Sequence, residues 1–146
     1  MELQDEKEFT AAAFYRFLDD RQLVGTRCQN CEQLYLPPRA VCPNCHSSRM
    51  SWYQFSGQGE LAAFTAVYIG PARMNAAGYS REKPYLTGIV RLEEGPMISA
   101  RLIGLPAEKP EQIKVGTPLQ VAFIHEGPAD RDESEIGTIL AFGPAV

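Results

Sequence analysis

Beyond Trp52 the apolar positions fall into short runs rich in β-branched and aromatic residues, with Gly or Pro between one run and the next. That layout predicts five antiparallel strands, over residues 60–69, 85–92, 97–103, 119–124 and 136–142. Alternation from Leu61 to Ile69 turns one face of the first strand inward. Glu93-Glu94-Gly95-Pro96 reads as a solvated hairpin turn between the second and third. A helical turn at 110–115, between the third and fourth, fits an OB-fold, a partly open Greek-key barrel, with a plain five-stranded sandwich as the alternative. Ahead of Trp52 the spacing is helical. Residues 10–20 place Phe14, Phe17 and Leu18 on one face, with Thr10 as N-cap and Ala11, Ala12 and Ala13 as strong helix formers. A helix this short is marginal alone, so its aromatic face must be buried, either in its own chain or on a partner subunit. Phe14, Phe17 and Leu18 are therefore candidate partner-binding residues.

The four cysteines form two Cys-x2-Cys pairs, Cys28/Cys31 and Cys42/Cys45, joined by ten residues. Each pair folds two thiolates toward one point, and two pairs close a tetrahedron around a metal ion at about 2.3 Å. Four thiolates leave no coordination position for water or substrate, so the expected role is structural. Zinc is the expected metal. Iron in a rubredoxin-like site, a redox dithiol and a disulfide pair are the competing readings. His46 follows Cys45 directly and is expected to serve the turn, because the shell is already full. Pro37, Pro38 and Pro43 restrict the loops around the knuckles. The chain thus divides into an N-terminal amphipathic helix (1–22), a four-cysteine zinc ribbon (23–50) and an OB-fold domain (51–146), mainly β overall. So small a ribbon buries too little apolar area to offset its conformational entropy, and its folding should depend on metal.

Charge and missing motifs narrow the function. With 14 Lys and Arg against 18 Asp and Glu, the net charge of -4 argues against a phosphate backbone as the main partner. No stretch approaches the roughly 18 apolar residues that span a bilayer. The acidic start, MELQDEKEF, lacks the basic-then-apolar layout of a secretory signal, so a soluble, cytoplasmic protein is expected. There is no Gly-x-Ser-x-Gly and no phosphate-cradling Gly-x4-Gly-Lys, and only His46 and His125 are available as histidine bases. His125, at a strand end, is expected to be structural or exposed. Glu93 and Glu94 are adjacent in a turn and diverge, which does not make an acid/base pair. Gly57-x-Gly59 leads into a strand, whereas a dinucleotide fingerprint leads into a helix, so it reads as a turn or bulge. The connection 70–83, GPARMNAAGYSREK, is long for a compact barrel. It carries Arg73 and Arg81, and the next two strands carry Arg91 and Arg101. These four either gather into a positive face or are ordinary scattered arginines.

Taken in order, the helix FTAAAFYRFLDD, the first knuckle in GTRCQNC, PPRAVCPNCHS, SGQGELAAFTAV, PYLTGIVRLEEGP and VGTPLQVAF resemble the zinc-ribbon plus OB-fold proteins of acyl-CoA metabolism, long known as a domain of unknown function. The resemblance spans nearly the whole chain. It implies a non-catalytic companion of thiolase-like enzymes, which include thiolases, hydroxymethylglutaryl-CoA synthases and side-chain-cleaving aldolases and hydratases. It implies that helix and ribbon contact the enzyme and that the OB domain packs near the CoA site. Cys28, Cys31, Cys42 and Cys45 carry over as metal ligands. Arg73, Arg81, Arg91 and Arg101 become candidates for the CoA phosphates, since guanidinium suits phosphate.

The alternative function is single-stranded nucleic-acid binding, with Trp52, Tyr53, Phe64 and Tyr68 as stacking platforms. The same aromatics are equally needed to fill a small barrel.

Overall fold

The computed structural model describes residues 8–125 and 138–145. The acidic stretch 1–7, Glu126, Gly127 and Ile136 of the last expected strand lie outside them.

Helix α1 (Ala11–Asp19) is capped by Thr10, whose Oγ1 accepts the Ala13 N–H at 3.2 Å. Its buried face is Ala13, Phe14, Phe17 and Leu18. Trp52 receives that face, with its ring 5.1 Å from Phe17 and 4.6 Å from Phe9. Tertiary packing on its own chain supplies the stability that nine residues cannot.

Three strands follow, β1 (Val24–Cys28), β2 (Leu34–Tyr35) and β3 (Met50–Gln54), in the antiparallel order β2-β1-β3. None was expected from the hydrophobic pattern. β1 is buried at every position but Arg27, so it shows no alternation, and β2 is only two residues long. β3 runs on to Gln54, across the division expected after residue 50.

The barrel consists of β4 (Gln58–Val67), β5 (Tyr85–Leu92), β6 (Met97–Leu102), β7 (Pro118–His125) and β8 (Thr138–Pro144). Their order, β4-β5-β6-β8-β7, closes where β4 pairs with β7 through Gln58↔Gln120, Gly59↔Leu119 and Glu60↔Pro118. Strands β6 and β8 run parallel. A closed five-stranded barrel with that crossover is an OB-fold, not a sandwich. The first barrel strand begins two residues earlier than expected and stops at Val67, leaving Tyr68 and Ile69 exposed. A short 3-10 turn, Pro110–Gln112, occupies the expected helical turn. The connection 70–83 is partly ordered by α2 (Ala72–Ala76), which buries Met74.

One apolar cluster runs through all three parts: Phe14 and Leu18 of the helix, Leu23 and Leu36 of the ribbon, Phe55 of the linker, and Leu61, Val90, Leu119 and Phe142 of the barrel. A second, small cluster of Cys28, Cys42 and Met50 sits in the ribbon. The linker is held tightly. Gly57, at φ +83, lies so close to Val121 that an added Cβ would stand 2.3 Å from its Cγ1. Its carbonyl accepts the Val121 N–H at 2.7 Å. The Glu94 carboxylate accepts the Ser56 N–H at 2.9 Å and its hydroxyl at 3.3 Å. The β5–β6 turn is solvated as expected, with Glu93 and Gly95 exposed, and through Glu94 it also reaches back to fasten the linker.

Candidate metal centre and the arginine-bearing loop

The four Sγ atoms of Cys28, Cys31, Cys42 and Cys45 lie within 4.8 Å of one another. Cys28 and Cys45 approach to 3.5 Å, as do Cys31 and Cys42. A metal–sulfur bond of about 2.3 Å gives a tetrahedron with edges of about 3.8 Å, so the thiolates are nearly at the spacing an ion requires. The two knuckles are built alike. Glu32 N–H donates to the Cys28 carbonyl at 2.9 Å, and His46 N–H donates to the Cys42 carbonyl at 2.8 Å. Glu32 and His46 both take the left-handed conformation, with φ of 66° and 63°. His46 is therefore the exposed turn residue of the second knuckle, as Glu32 is of the first.

The surroundings favour thiolates at Cys42 and Cys45 but not at Cys31, where the lowering hydrogen bonds from Gln33 and Asn44 are outweighed by burial and by the Cys42 and Cys28 sulfurs, which push that thiol up. Burial pushes the Cys42 thiol up, but hydrogen bonds from the Tyr35 hydroxyl and from the Cys45 and Asn44 N–H groups outweigh it and bring it down to about 6. The Tyr35 hydroxyl donates to Cys42 Sγ at 3.1 Å, a bond that pushes Tyr35 itself up to about 12. The Asn30 amide donates to Cys45 Sγ at 3.4 Å and is the leading cause of that thiol's lowered value. These donors suit ligands that must be deprotonated to bind metal. An ion held by all four sulfurs has no position left for substrate, which makes the site structural. Tyr35 and Asn30 were not singled out in the sequence, because an aromatic and an amide near cysteines carry no spacing signal. Thr26, also missed, is fully buried. Its hydroxyl accepts the Arg39 N–H at 3.0 Å and pins the Pro37-Pro38-Arg39 turn to β1.

The four arginines do not gather into one face. Arg101 pairs with Thr87 and Arg91 with Met97, which places them toward opposite ends of the β5–β6 ladder. Arg91 forms an exposed ion pair with Glu60 at 3.2 Å. Arg81 is exposed in the turn closed by mutual hydrogen bonds of Ser80 and Lys83. Arg73, on α2, and Arg101 line a common groove. Arg101 is fixed there by the rings of Tyr79 and Tyr85, 5.4 and 5.3 Å from its guanidinium carbon.

The aromatics expected to stack bases are largely committed elsewhere. Trp52 holds Phe9 and Phe17, Tyr53 packs on Phe55 at 4.9 Å, and Phe64 packs against the core. Tyr68 is exposed. The helix residues Phe14, Phe17 and Leu18 are no more than 8% exposed, so the chain's own core consumes them; the exposed aromatic of α1 is Tyr15, at 60%. No helix among the described residues is long and apolar enough to cross a membrane.

A four-cysteine ribbon sharing a core with a closed OB barrel defines a ribbon/OB-fold protein with a candidate metal centre. The chain belongs to the DUF35 family: the model described as the ChsH2 rubredoxin-like zinc ribbon domain matches residues 17–51, and that of the ChsH2 C-terminal OB-fold domain matches residues 52–123. It is 34% identical to a DUF35 domain-containing scaffold protein of Pyrococcus furiosus over 79% of each chain. It is also 34% identical to the benzoylsuccinyl-CoA thiolase subunit BbsA of Thauera aromatica, over 58% of this chain and 54% of that one. Among solved structures it is similar to the Ltp2-ChsH2(DUF35) aldolase, with a TM-score of 0.72 and 27% identity over 92% of this chain and 94% of that one.

Proposed function

We propose that this chain is a non-catalytic companion subunit of a thiolase-like acyl-CoA enzyme, or of an aldolase or hydratase related in chemistry, and that it stabilises and orients the complex. The observation that carries this reading is the likeness to a thiolase subunit and to the ChsH2 component of an aldolase, in a chain whose metal site is coordinatively closed. The metal in this reading is zinc, which suits four thiolates in a tetrahedron and brings no redox chemistry. Bound, it supplies folding free energy rather than a reactive centre.

Because Phe14, Phe17 and Leu18 are buried at home, the enzyme-facing surface falls to what helix and ribbon leave exposed, notably Tyr15 and Val41. In this reading CoA phosphates meet the exposed guanidinium groups of Arg73 and Arg81. Arg91 is already paired with Glu60, and Arg101 is built into the Tyr79–Tyr85 clamp. The nucleic-acid alternative is weakened by the outer face of β4, β5 and β6. Ala63, Thr65, Thr87, Ile89 and Ser99 form a shallow depression there; among the described residues the aromatic that lines it, Phe64, packs against the core, and no basic residue does.

Affinity purification of the tagged chain from its native cell, with proteins and nucleic acid both measured in the eluate, tests the proposal. Stoichiometric recovery of a thiolase-like, aldolase or hydratase enzyme is the expected outcome. Recovery of RNA or DNA without such an enzyme would overturn it.

A further inference from the structure

The four sulfurs of the ribbon do not face solvent alike. Cys28 and Cys42 are fully buried, while Cys31 and Cys45 are half-buried. Each approach of 3.5 Å, Cys28 to Cys45 and Cys31 to Cys42, joins a buried sulfur to a half-buried one and one knuckle to the other. A sulfur that solvent reaches is the one an oxidant meets first. A second sulfur directly behind it is placed to close a disulfide, whose S–S bond is about 2.05 Å. The two buried sulfurs differ in their donors. Cys42 accepts the Tyr35 hydroxyl at 3.1 Å, whereas Cys28 accepts the Cys31 N–H at 3.5 Å. A short hydrogen bond draws down the electron density with which sulfur attacks, so Cys28 is the stronger nucleophile of the buried two. Its half-buried neighbour, Cys45, accepts the amide of exposed Asn30 at 3.4 Å.

We propose that this centre is a redox-sensitive switch: a hydroperoxide oxidises Cys45, Cys28 closes on it in a disulfide that links the two knuckles, and the ion is released. In the first step the Cys45 thiolate takes the distal oxygen of the hydroperoxide. The O–O bond breaks, the sulfur is oxidised by two electrons to a sulfenic acid, and the remainder takes a proton from solvent and leaves as an alcohol, or as water from hydrogen peroxide. In the second step the Cys28 thiolate attacks the Cys45 sulfur. The S–S bond forms, the S–O bond breaks, and hydroxide leaves and is protonated to water. Two thiolates remain of the four that close the tetrahedron, too few to hold the ion. Zinc itself takes no part in the electron transfer. The switch rests on the metal reading of the four cysteines and stands without the companion-subunit reading; where both hold, oxidation loosens the ribbon that faces the enzyme.

Treatment of the full, zinc-loaded chain with hydrogen peroxide tests it. Metal content before oxidation checks the metal reading by itself, and a chain that takes up no metal would remove the switch as well. Zinc release is followed with a chromophoric chelator, and free thiols are alkylated before tryptic digestion without reductant. Cleavage after Arg27, Arg39 and Arg49 leaves Cys28 and Cys31 on peptide 28–39 and Cys42 and Cys45 on peptide 40–49, so a bond between knuckles joins two peptides and a bond within a knuckle joins none. About one zinc should be released per peroxide consumed, with the peptides linked through Cys28 and Cys45, and dithiothreitol with zinc should restore the centre. Tyr35→Phe, which removes the hydroxyl donor to Cys42, should shift the linkage toward Cys31–Cys42, a change of product that a merely weakened centre would not show. Zinc retained at millimolar peroxide, zinc lost with sulfinic acids in place of a disulfide, a first disulfide other than Cys28–Cys45, or a Tyr35→Phe linkage identical to that of the parent chain would overturn the proposal.

Discussion

Gly57 stands where the chain leaves the ribbon and enters the barrel. A methyl group there meets both a left-handed backbone and Val121 Cγ1, 2.3 Å from the added Cβ. Gly57→Ala should therefore destabilise the protein by about 2 kcal/mol or more, measured by urea denaturation. At the metal centre, the Tyr35 hydroxyl is the side-chain donor to buried Cys42. Tyr35→Phe keeps the ring and removes that donor, and is expected to lower metal affinity about 10-fold to 100-fold in competition with a chromophoric chelator. An unchanged affinity would show that the backbone N–H groups alone support the thiolate. The ligands were legible in the sequence because thiolate spacing is itself the chemistry. Tyr35 and Thr26 were not, since their roles come from a two-residue strand and a turn that bring them to their partners.

At the scale of elements, the ribbon and the barrel differ in what makes them fold. The barrel strands showed in the sequence because alternation and Gly/Pro punctuation report a sheet with one wet face. The ribbon strands did not, as β1 is buried on both faces and β2 is too short to show a period. The scatter of the arginines was likewise hidden, because strand register decides which side chains become neighbours. Metal removal should act on the ribbon first. Chelation, or Cys28→Ser, is expected to speed tryptic cleavage after Arg39, beside the turn that Thr26 anchors, while fragments of the barrel persist. Unchanged protection of that turn after complete metal loss would refute the dependence.

For the whole molecule, the shared core couples what the metal separates. Leu18 is 1% exposed and belongs to the same cluster as Leu61, Val90 and Phe142. Leu18→Ala should cost about 2–5 kcal/mol, a large part of the stability of an ordinary domain, and lower the midpoint of the barrel along with that of the helix. The single tryptophan, Trp52, gives a local probe of the helix–ribbon contact, whereas far-UV circular dichroism follows the barrel. In the metal-loaded protein the two signals should coincide on heating. After chelation the tryptophan change should come first.

The same continuity bears on inheritance. In sequence the two matched regions meet between residues 51 and 52, an inviting place to exchange one relative's ribbon for another's. That junction falls inside β3, and Phe14, Leu18, Leu23 and Leu36 on one side of it fill the same interior as Phe55 and the barrel residues on the other. A chimera cut there would inherit two half-filled interiors that had never been fitted to each other. The heritable unit is the whole chain, and its two halves can drift only in step.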